Sequence, residues 1–100
     1  MVNTDSAVSI QESGDAQITT GPTYLYGYIV YSTNGSLAGN CQFKDGGDGG
    51  TVKWEDYVDS SLRSISKLFF DAPLYFPNGL YVDKTESMGM SYRVFVREVT

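Results

Sequence analysis

The chain has 100 residues, a net charge of −5 and 14% aromatic residues, including 8 Tyr, while charged residues make up only 19%. This length fits one domain, and the acidic balance disfavours nucleic acid and anionic lipid as partners. The sequence contains no His, which removes the most common general base and metal ligand of enzymes. We therefore expect a non-enzymatic binding domain without a cofactor, with no nucleic acid and no membrane among its partners.

Short alternations of apolar and polar residues, separated by turn residues, run along the chain, and each predicts a β-strand. Asn34-Gly35 and Asn78-Gly79 are hairpin-type turn signals. One stretch, residues 62–70, has apolar residues at helical spacing, but its neighbours are strands and we predict a strand there as well. The predicted strands are Ala7–Glu12, Gln17–Thr20, Tyr24–Thr33, Asn40–Asp45, Thr51–Val58, Leu62–Phe70, Leu74–Phe76, Leu80–Asp83 and Met90–Val99.

About eight or nine short strands predict an all-β fold, an antiparallel β-sandwich of jelly-roll type. We divide the chain into an N-terminal arm or edge strand over residues 1–15 and a β-sandwich domain over residues 16–100. Val30, Trp54 and Val94 lie in the middle of strands on apolar faces and are predicted core residues. The single cysteine, Cys41, is predicted to be a small buried apolar side chain.

The longest predicted strand is crowded with tyrosine. Strict alternation puts four of its side chains on the same face, Tyr24, Tyr26, Tyr28 and Val30. A sandwich of this size cannot bury all of its aromatic side chains completely, and Tyr is enriched at protein interfaces. We therefore predict that Tyr24, Tyr26 and Tyr28 belong to a partner-binding surface.

The acidic N-terminal segment is a second candidate for partner binding. Val8 and Ile10 alternate with polar residues, so this stretch could add as a strand to the exposed edge of a partner's sheet. Asp5, Glu12 and Asp15 are then expected to meet basic groups on the same partner.

Two groups of carboxylates are candidates for chemistry, and we favour a structural interpretation of both. Asp45 and Asp48 lie in a glycine-rich loop and are weak candidates for Ca²⁺ ligands, because the loop lacks the full ligand spacing of known calcium loops. Glu55, Asp56 and Asp59 could supply paired carboxylates, but neighbouring residues on a strand point to opposite faces. We therefore predict no metal site and no catalytic residue.

Four segments occur in a characteristic order: a Gly-Pro start at residues 18–22, an L-Y-G strand at 25–27, a D-G-x-x-x-G loop at 45–50 and an N-G-L-Y-V run at 78–83. Together they resemble small β-sandwich proteins of phage and prophage structural modules, such as capsid decoration (cement) and head-fibre proteins. The resemblance covers most of the chain, from Thr19 to Val96. It implies a location on the virion and binding to the capsid lattice, and it carries no catalytic residues.

We therefore expect a phage capsid decoration protein, made in the host cytoplasm, that binds the outer capsid surface and stabilises the shell. Its partner would be the major capsid protein. Whether the protein forms a homo-oligomer on the capsid is left open. Two alternatives also stay open. One is a tail, neck or fibre module of the virion. The other is a carbohydrate-binding β-sandwich module, in which an exposed Tyr or Trp54 would stack on sugar rings.

Overall fold

The computed structural model describes residues 8–12, 15–32, 39–58, 64–69, 72–84 and 90–99 of the chain. Within these ranges every regular element is a β-strand, which confirms the predicted all-β class, including a strand where the apolar spacing also fitted a helix. None of the described segments could cross a lipid bilayer as a helix. The strands are β1 (Val8–Glu12), β2 (Ala16–Gln17), β3 (Thr23–Ser32), β4 (Gly39–Asp45), β5 (Thr51–Val58), β6 (Ser64–Leu68), β7 (Leu74–Phe76), β8 (Leu80–Lys84) and β9 (Met90–Glu98).

These strands form two antiparallel sheets. The five-stranded sheet has the order β1-β9-β3-β6, with the short β7 also paired to β3, and the four-stranded sheet has the order β2-β8-β4-β5. Apart from β7, the strands pair from the two ends of the chain inward: β1 with β9, β2 with β8, β3 with β6, and β4 with β5. This is a long hairpin rolled up into a sandwich, the winding of a jelly roll.

The strands β6 and β7 together form one interrupted edge strand. β6 pairs with residues 27–31 of β3, and β7 pairs with residues 23–25 along the same side of β3. Before β7, residues 72 and 73 belong to no strand, and Pro73 has no backbone N–H to contribute. Phe69 lies at the start of this interruption, and its backbone N–H donates to the Tyr26 carbonyl at 2.9 Å.

The predicted alternation of the longest strand is wrong beyond Tyr26, because β3 carries a β-bulge there. Leu25 pairs with Val96 of β9, but Gly27 pairs with the adjacent Phe95, so Tyr26 is one residue more than β9 can match. An extra residue shifts the alternation of side chains by one position. The first and second halves of β3 therefore follow opposite inside–outside patterns.

The bulge changes which tyrosines reach the surface. Tyr28 and Val30 join Leu25 in the core, where all three are fully buried. Tyr24 and Tyr26 remain on the outward face. The predicted grouping of Tyr28 with Tyr24 and Tyr26 on one face is therefore corrected.

The core lies between the two sheets and receives side chains from both. Val30, Val94 and Cys41 are fully buried, as predicted, whereas Trp54 is only partly buried and packs against the margin of the core. Burial raises the pKa of the Cys41 thiol to about 12. The buried apolar side chains are Leu25, Tyr28, Val30, Cys41, Phe43, Phe76, Leu80, Val82, Tyr92, Val94 and Val96.

The N-terminal strand β1 belongs to the sandwich itself. It is an edge strand of the five-stranded sheet and pairs with β9 of the same chain, with Ile10 opposite Val94. Ile10 packs against the core. The segment therefore corresponds to the predicted edge strand, and the sandwich begins before residue 16. The addition of Val8 and Ile10 to a partner's sheet stays a prediction. Asp5 lies outside the described residues.

Three of the segments that carry the phage resemblance meet at one end of the sandwich. The backbone N–H of Gly46 donates to the Gly79 carbonyl at 2.9 Å. The Asp45 carboxylate accepts hydrogen bonds from the backbone and side-chain N–H groups of Asn78 at 2.9 and 3.1 Å. The hydroxyl of Thr19 accepts a hydrogen bond at 2.9 Å from the residue that follows Gly79. These motif residues therefore have a structural role in closing this end of the fold.

Replacing Gly79 with Ala should destabilise the domain. Gly79 has φ of 101°, and a Cβ there would lie 2.6 Å from the Thr19 carbonyl oxygen. We expect Gly79→Ala to lower the free energy of unfolding by about 1–3 kcal/mol, measured by urea denaturation. Gly49→Ala is the matched control, because a Cβ at Gly49 meets nothing within 4 Å. Equal unfolding free energies of the two variants would contradict the prediction that a side chain at position 79 strains this turn.

The domain should become less stable as the pH rises above the usual thiol pKa. The unfolded Cys41 thiol ionises around pH 9.0, whereas the folded thiol stays protonated up to about pH 12. The folded state then binds more protons, so this group lowers the free energy of unfolding by up to about 1.4 kcal/mol per pH unit in that window. Urea denaturation at a series of pH values should show a flatter decline for Cys41→Ala. Equal slopes of the unfolding free energy against pH in the parent protein and in Cys41→Ala would contradict the raised pKa of Cys41.

Candidate functional site

Four side chains on the outward surface of the five-stranded sheet stack in a row that we call the tyrosine–arginine face: Tyr75, Tyr24, Arg97 and Tyr26. The register places Tyr24 opposite both Tyr75 of β7 and Arg97 of β9. The ring centroids of Tyr24 and Tyr75 are 4.9 Å apart. The Arg97 guanidinium carbon lies 5.3 Å from the Tyr24 centroid and 5.8 Å from the Tyr26 centroid. These stacked contacts hold the row in a defined geometry.

The tyrosine–arginine face is amphipathic and partly open to solvent. Tyr75 is 41% exposed, and the other three side chains are half-buried. The neighbouring outward positions of β3 and β9 are also half-buried and are occupied by Ile29, Tyr31, Arg93 and Phe95. Tyr and Arg are the side chains that carry most of the energy in protein interfaces, because they combine apolar area with hydrogen-bonding ends. This surface is therefore suited to a protein partner.

Tyr28 is not part of this surface. Its hydroxyl donates to the Asp56 carboxylate at 2.5 Å and accepts a hydrogen bond from the Trp54 indole N–H at 2.6 Å. Burial, together with the hydrogen bond to Asp56, raises the pKa of Tyr28 above its usual value. The predicted partner-binding role of Tyr28 is corrected, since this side chain links the two sheets inside the sandwich.

Trp54 does not offer an open ring to a ligand. The Lys67 ammonium lies 5.4 Å from the Trp54 ring centroid, and the Phe69 ring meets the indole edge-on at a centroid distance of 5.2 Å. The indole N–H is used by Tyr28. Trp54 therefore has no open ring face on which a sugar ring could stack, which disfavours the form of the carbohydrate-binding alternative that uses Trp54.

The acidic residues predicted for the N-terminal segment do not form a surface in the described residues. Asp15 accepts a hydrogen bond from the Lys84 backbone N–H at 2.7 Å, so it fastens the chain near β2 to the end of β8. Glu12 ends β1, but its side chain lies outside the described part, as does Asp5. A partner role for Glu12 and Asp5 stays a prediction.

The glycine-rich loop uses its carboxylates in contacts with the protein. The Asp45 carboxylate is occupied by Asn78. The Lys44 ammonium donates to the Asp48 carbonyl at 2.8 Å and lies 3.9 Å from the Asp48 carboxylate. Among the described residues, no three side chains of the metal-binding types are grouped closely enough to hold an ion. Asp45 and Asp48 therefore form one end of the fold and are not gathered as ligands.

The outward surface of the four-stranded sheet carries a group of mostly polar side chains that we call the polar face: Asn40, Gln42, Lys44, Glu55, Tyr57 and Asp83. Val52 and Tyr81 lie opposite Lys44, at the end of this group away from Tyr57. The side-chain amides of Asn40 and Gln42 both donate to Oε2 of Glu55, at 2.8 and 2.9 Å. Lys44 donates to the Asp83 carboxylate at 2.6 Å, and this hydrogen bond raises the pKa of Lys44. Tyr57 is 51% exposed beside this network.

The predicted separation of Glu55 from Asp56 is confirmed. Glu55 is on the polar face, whereas Asp56 points inward to Tyr28. Asp59 lies outside the described residues. Sequence reasoning did not single out Asn40, Gln42 and Tyr57 as site candidates. Their alternating positions in predicted strands were the available signal, but the strand register was needed to bring them together.

Charge is distributed unequally between the two sheets. Among the described side chains in strands, the carboxylates of the four-stranded sheet are Asp45, Glu55, Asp56 and Asp83, whereas β9 contributes Glu98 to the other sheet. Arg93 and Arg97 both lie at outward positions of β9 in the five-stranded sheet. One face of the molecule therefore combines aromatic rings with guanidinium groups, and the opposite face combines amides and carboxylates with the Lys44 ammonium.

No protein-family model and no curated protein sequence matches this chain.

Replacing Tyr28 with Phe should cost about 1–3 kcal/mol of unfolding free energy, because the Trp54 indole N–H and the Asp56 carboxylate lose a shared partner. Urea denaturation followed by tryptophan fluorescence would measure the loss. Tyr24→Phe removes the same hydroxyl from the outward face and should change stability by less than about 0.5 kcal/mol. A neutral Tyr28→Phe substitution would show that the hydrogen-bond chain contributes nothing to the fold.

Proposed function

We propose that this chain is a bacteriophage capsid decoration protein, a non-enzymatic domain that binds the major capsid protein on the outer surface of the virion. The observation that carries the proposal is the tyrosine–arginine face, in which Tyr75, Tyr24, Arg97 and Tyr26 form an ordered, half-exposed row. Such a row offers anchors for a protein surface without offering groups for chemistry.

Two further observations support the proposal. The jelly-roll winding is common among viral capsid domains, although the same architecture also serves lectins. Three of the four sequence segments that resemble phage decoration proteins meet at one end of this sandwich. A shell-stabilising protein needs a stable domain and a binding face, and both can be built without a cofactor.

The chemistry of the tyrosine–arginine face indicates which groups the capsid surface should offer. The guanidinium groups of Arg93 and Arg97 favour acidic side chains on the partner, and the tyrosine rings favour apolar area between them. Of the carboxylates predicted to make the contact, Asp15 accepts a hydrogen bond from the Lys84 backbone, whereas a partner role for Asp5 and Glu12 stays a prediction.

The first experiment locates the protein in the particle. Antibodies raised against the purified domain should label the outer capsid of phage particles from the source that encodes the chain. Quantitative mass spectrometry of those particles should find it in a fixed ratio to the major capsid protein. Labelling confined to the tail, neck or fibres would favour the alternative virion module, and absence from the particle would make the proposal wrong.

The second experiment tests whether the tyrosine–arginine face binds the capsid. Capsids lacking the protein are mixed with purified domain, and bound protein is measured after sedimentation. We expect the Tyr24→Ser, Tyr75→Ser double variant to bind about 30-fold more weakly, as for the loss of an interface anchor. Tyr57→Ser, which alters an exposed tyrosine on the opposite sheet, is the matched control and should bind normally. Equal weakening by both variants would contradict docking through the tyrosine–arginine face.

A further inference from the structure

The polar face of the four-stranded sheet carries a second kind of surface, which docking through the tyrosine–arginine face leaves open. Its central feature is an exposed aromatic ring, Tyr57, beside a network of amide and carboxylate groups. We propose that this face is a binding site for a neutral polysaccharide. The proposal rests on the polar face alone and is independent of where the opposite sheet docks.

The register of the sheet brings the polar groups into a compact patch. Gln42 of β4 lies directly opposite Glu55 of β5 on one side and Asp83 of β8 on the other. This row of three side chains crosses three strands and spans about 10 Å, twice the usual strand spacing. Asn40 and Tyr57 form the adjacent cross-strand pair on the same face. A sugar ring over Tyr57 would thus have hydrogen-bonding groups along one of its edges.

Hydrogen bonds among these side chains fix them before any ligand arrives. Asn40 and Gln42 both donate to the same oxygen of Glu55, at 2.8 and 2.9 Å. The other carboxylate oxygen accepts no hydrogen bond from the described residues, and the Gln42 amide has a second N–H and a carbonyl oxygen. Adjacent sugar hydroxyls can donate to that carboxylate oxygen and accept from the amide. Because the side chains are already held in place, little rotational freedom is lost on binding.

Tyr57 supplies the apolar half of sugar recognition. Its side chain is 51% exposed, and no other ring among the described residues stacks on it. The face of an aromatic ring carries partial negative charge, which attracts the C–H groups on the flat side of a pyranose. Trp54 cannot take this role, because Lys67 and Phe69 cover its ring.

The charges of the polar face select a neutral ligand. Glu55 and Asp83 would repel an anionic polysaccharide, and the Lys44 ammonium is already paired with Asp83 at 2.6 Å. A protein partner fits the part of this face around Tyr57 less well, because its neighbours there are the polar Asn40, Gln42 and Glu55 and an interface core needs clustered apolar anchors. A neutral chain with adjacent hydroxyls matches both the aromatic ring and the amide–carboxylate network.

The test begins with the intact protein on a glycan array that contains neutral and acidic glycans. Affinity electrophoresis then measures binding to the best neutral polysaccharide found. We expect Tyr57→Ala to weaken this binding about tenfold, as the stacking contact is lost. Glu55→Gln should weaken it similarly, because the oxygen that accepts hydrogen bonds from the sugar hydroxyls would be replaced by an N–H donor. Tyr24→Ala, on the opposite sheet, should leave it unchanged.

Urea denaturation of each variant separates loss of the site from loss of the fold, and only variants that unfold at the same urea concentration as the parent protein are compared. Binding that persists at high salt supports a neutral ligand held by hydrogen bonds and stacking. The proposal is overturned if no neutral glycan is bound, if acidic glycans alone are bound, or if Tyr24→Ala weakens binding while Tyr57→Ala does not.

Discussion

One extra residue in β3 determines how the two sides of the five-stranded sheet are used. Tyr26 has no counterpart on β9, and the alternation of β3 is reversed after it. Without this bulge, Tyr28 would stay on the same side as Tyr24 and would point to solvent. With it, Tyr24 and Tyr26 remain outside, where Arg97 stacks against both of them. The bulge therefore separates the tyrosines of this strand into an outward pair, Tyr24 and Tyr26, and the buried Tyr28.

Tyr28, which follows the bulge, connects the two sheets through hydrogen bonds as well as apolar packing. The Tyr28 hydroxyl joins Trp54 and Asp56, two residues of β5 in the opposite sheet. The Tyr28 ring also packs on Phe43, at a centroid distance of 4.6 Å. A buried hydroxyl needs such partners, because an unsatisfied polar group between the sheets would destabilise the fold. This link fixes β5 relative to β3 and so sets the position of the polar face on the other side of β5.

Lysine side chains cover the seam where β5 faces the interrupted strand β6–β7. Lys53 of β5 donates to the Tyr75 carbonyl and lies 5.4 Å from the Phe76 ring centroid. Lys67 of β6 lies over Trp54. Lysine on edge strands discourages pairing with strands of other molecules. On this side of the molecule the broad sheet faces, rather than the strand edges, are therefore the surfaces suited to specific binding.

The sequence predicted the all-β class, most strand positions, and the burial of Val94 and Cys41. These features follow from local alternation and turn chemistry, which act over a few residues. It did not determine the bulge at Tyr26, because the extra residue exists only relative to β9, far away in the chain. For the same reason only the tertiary structure put Arg97 on Tyr24, Tyr28 between Trp54 and Asp56, and Asn40 and Gln42 on Glu55. Each of those contacts depends on the register between strands, and register is set by long-range packing rather than by the local pattern of residues.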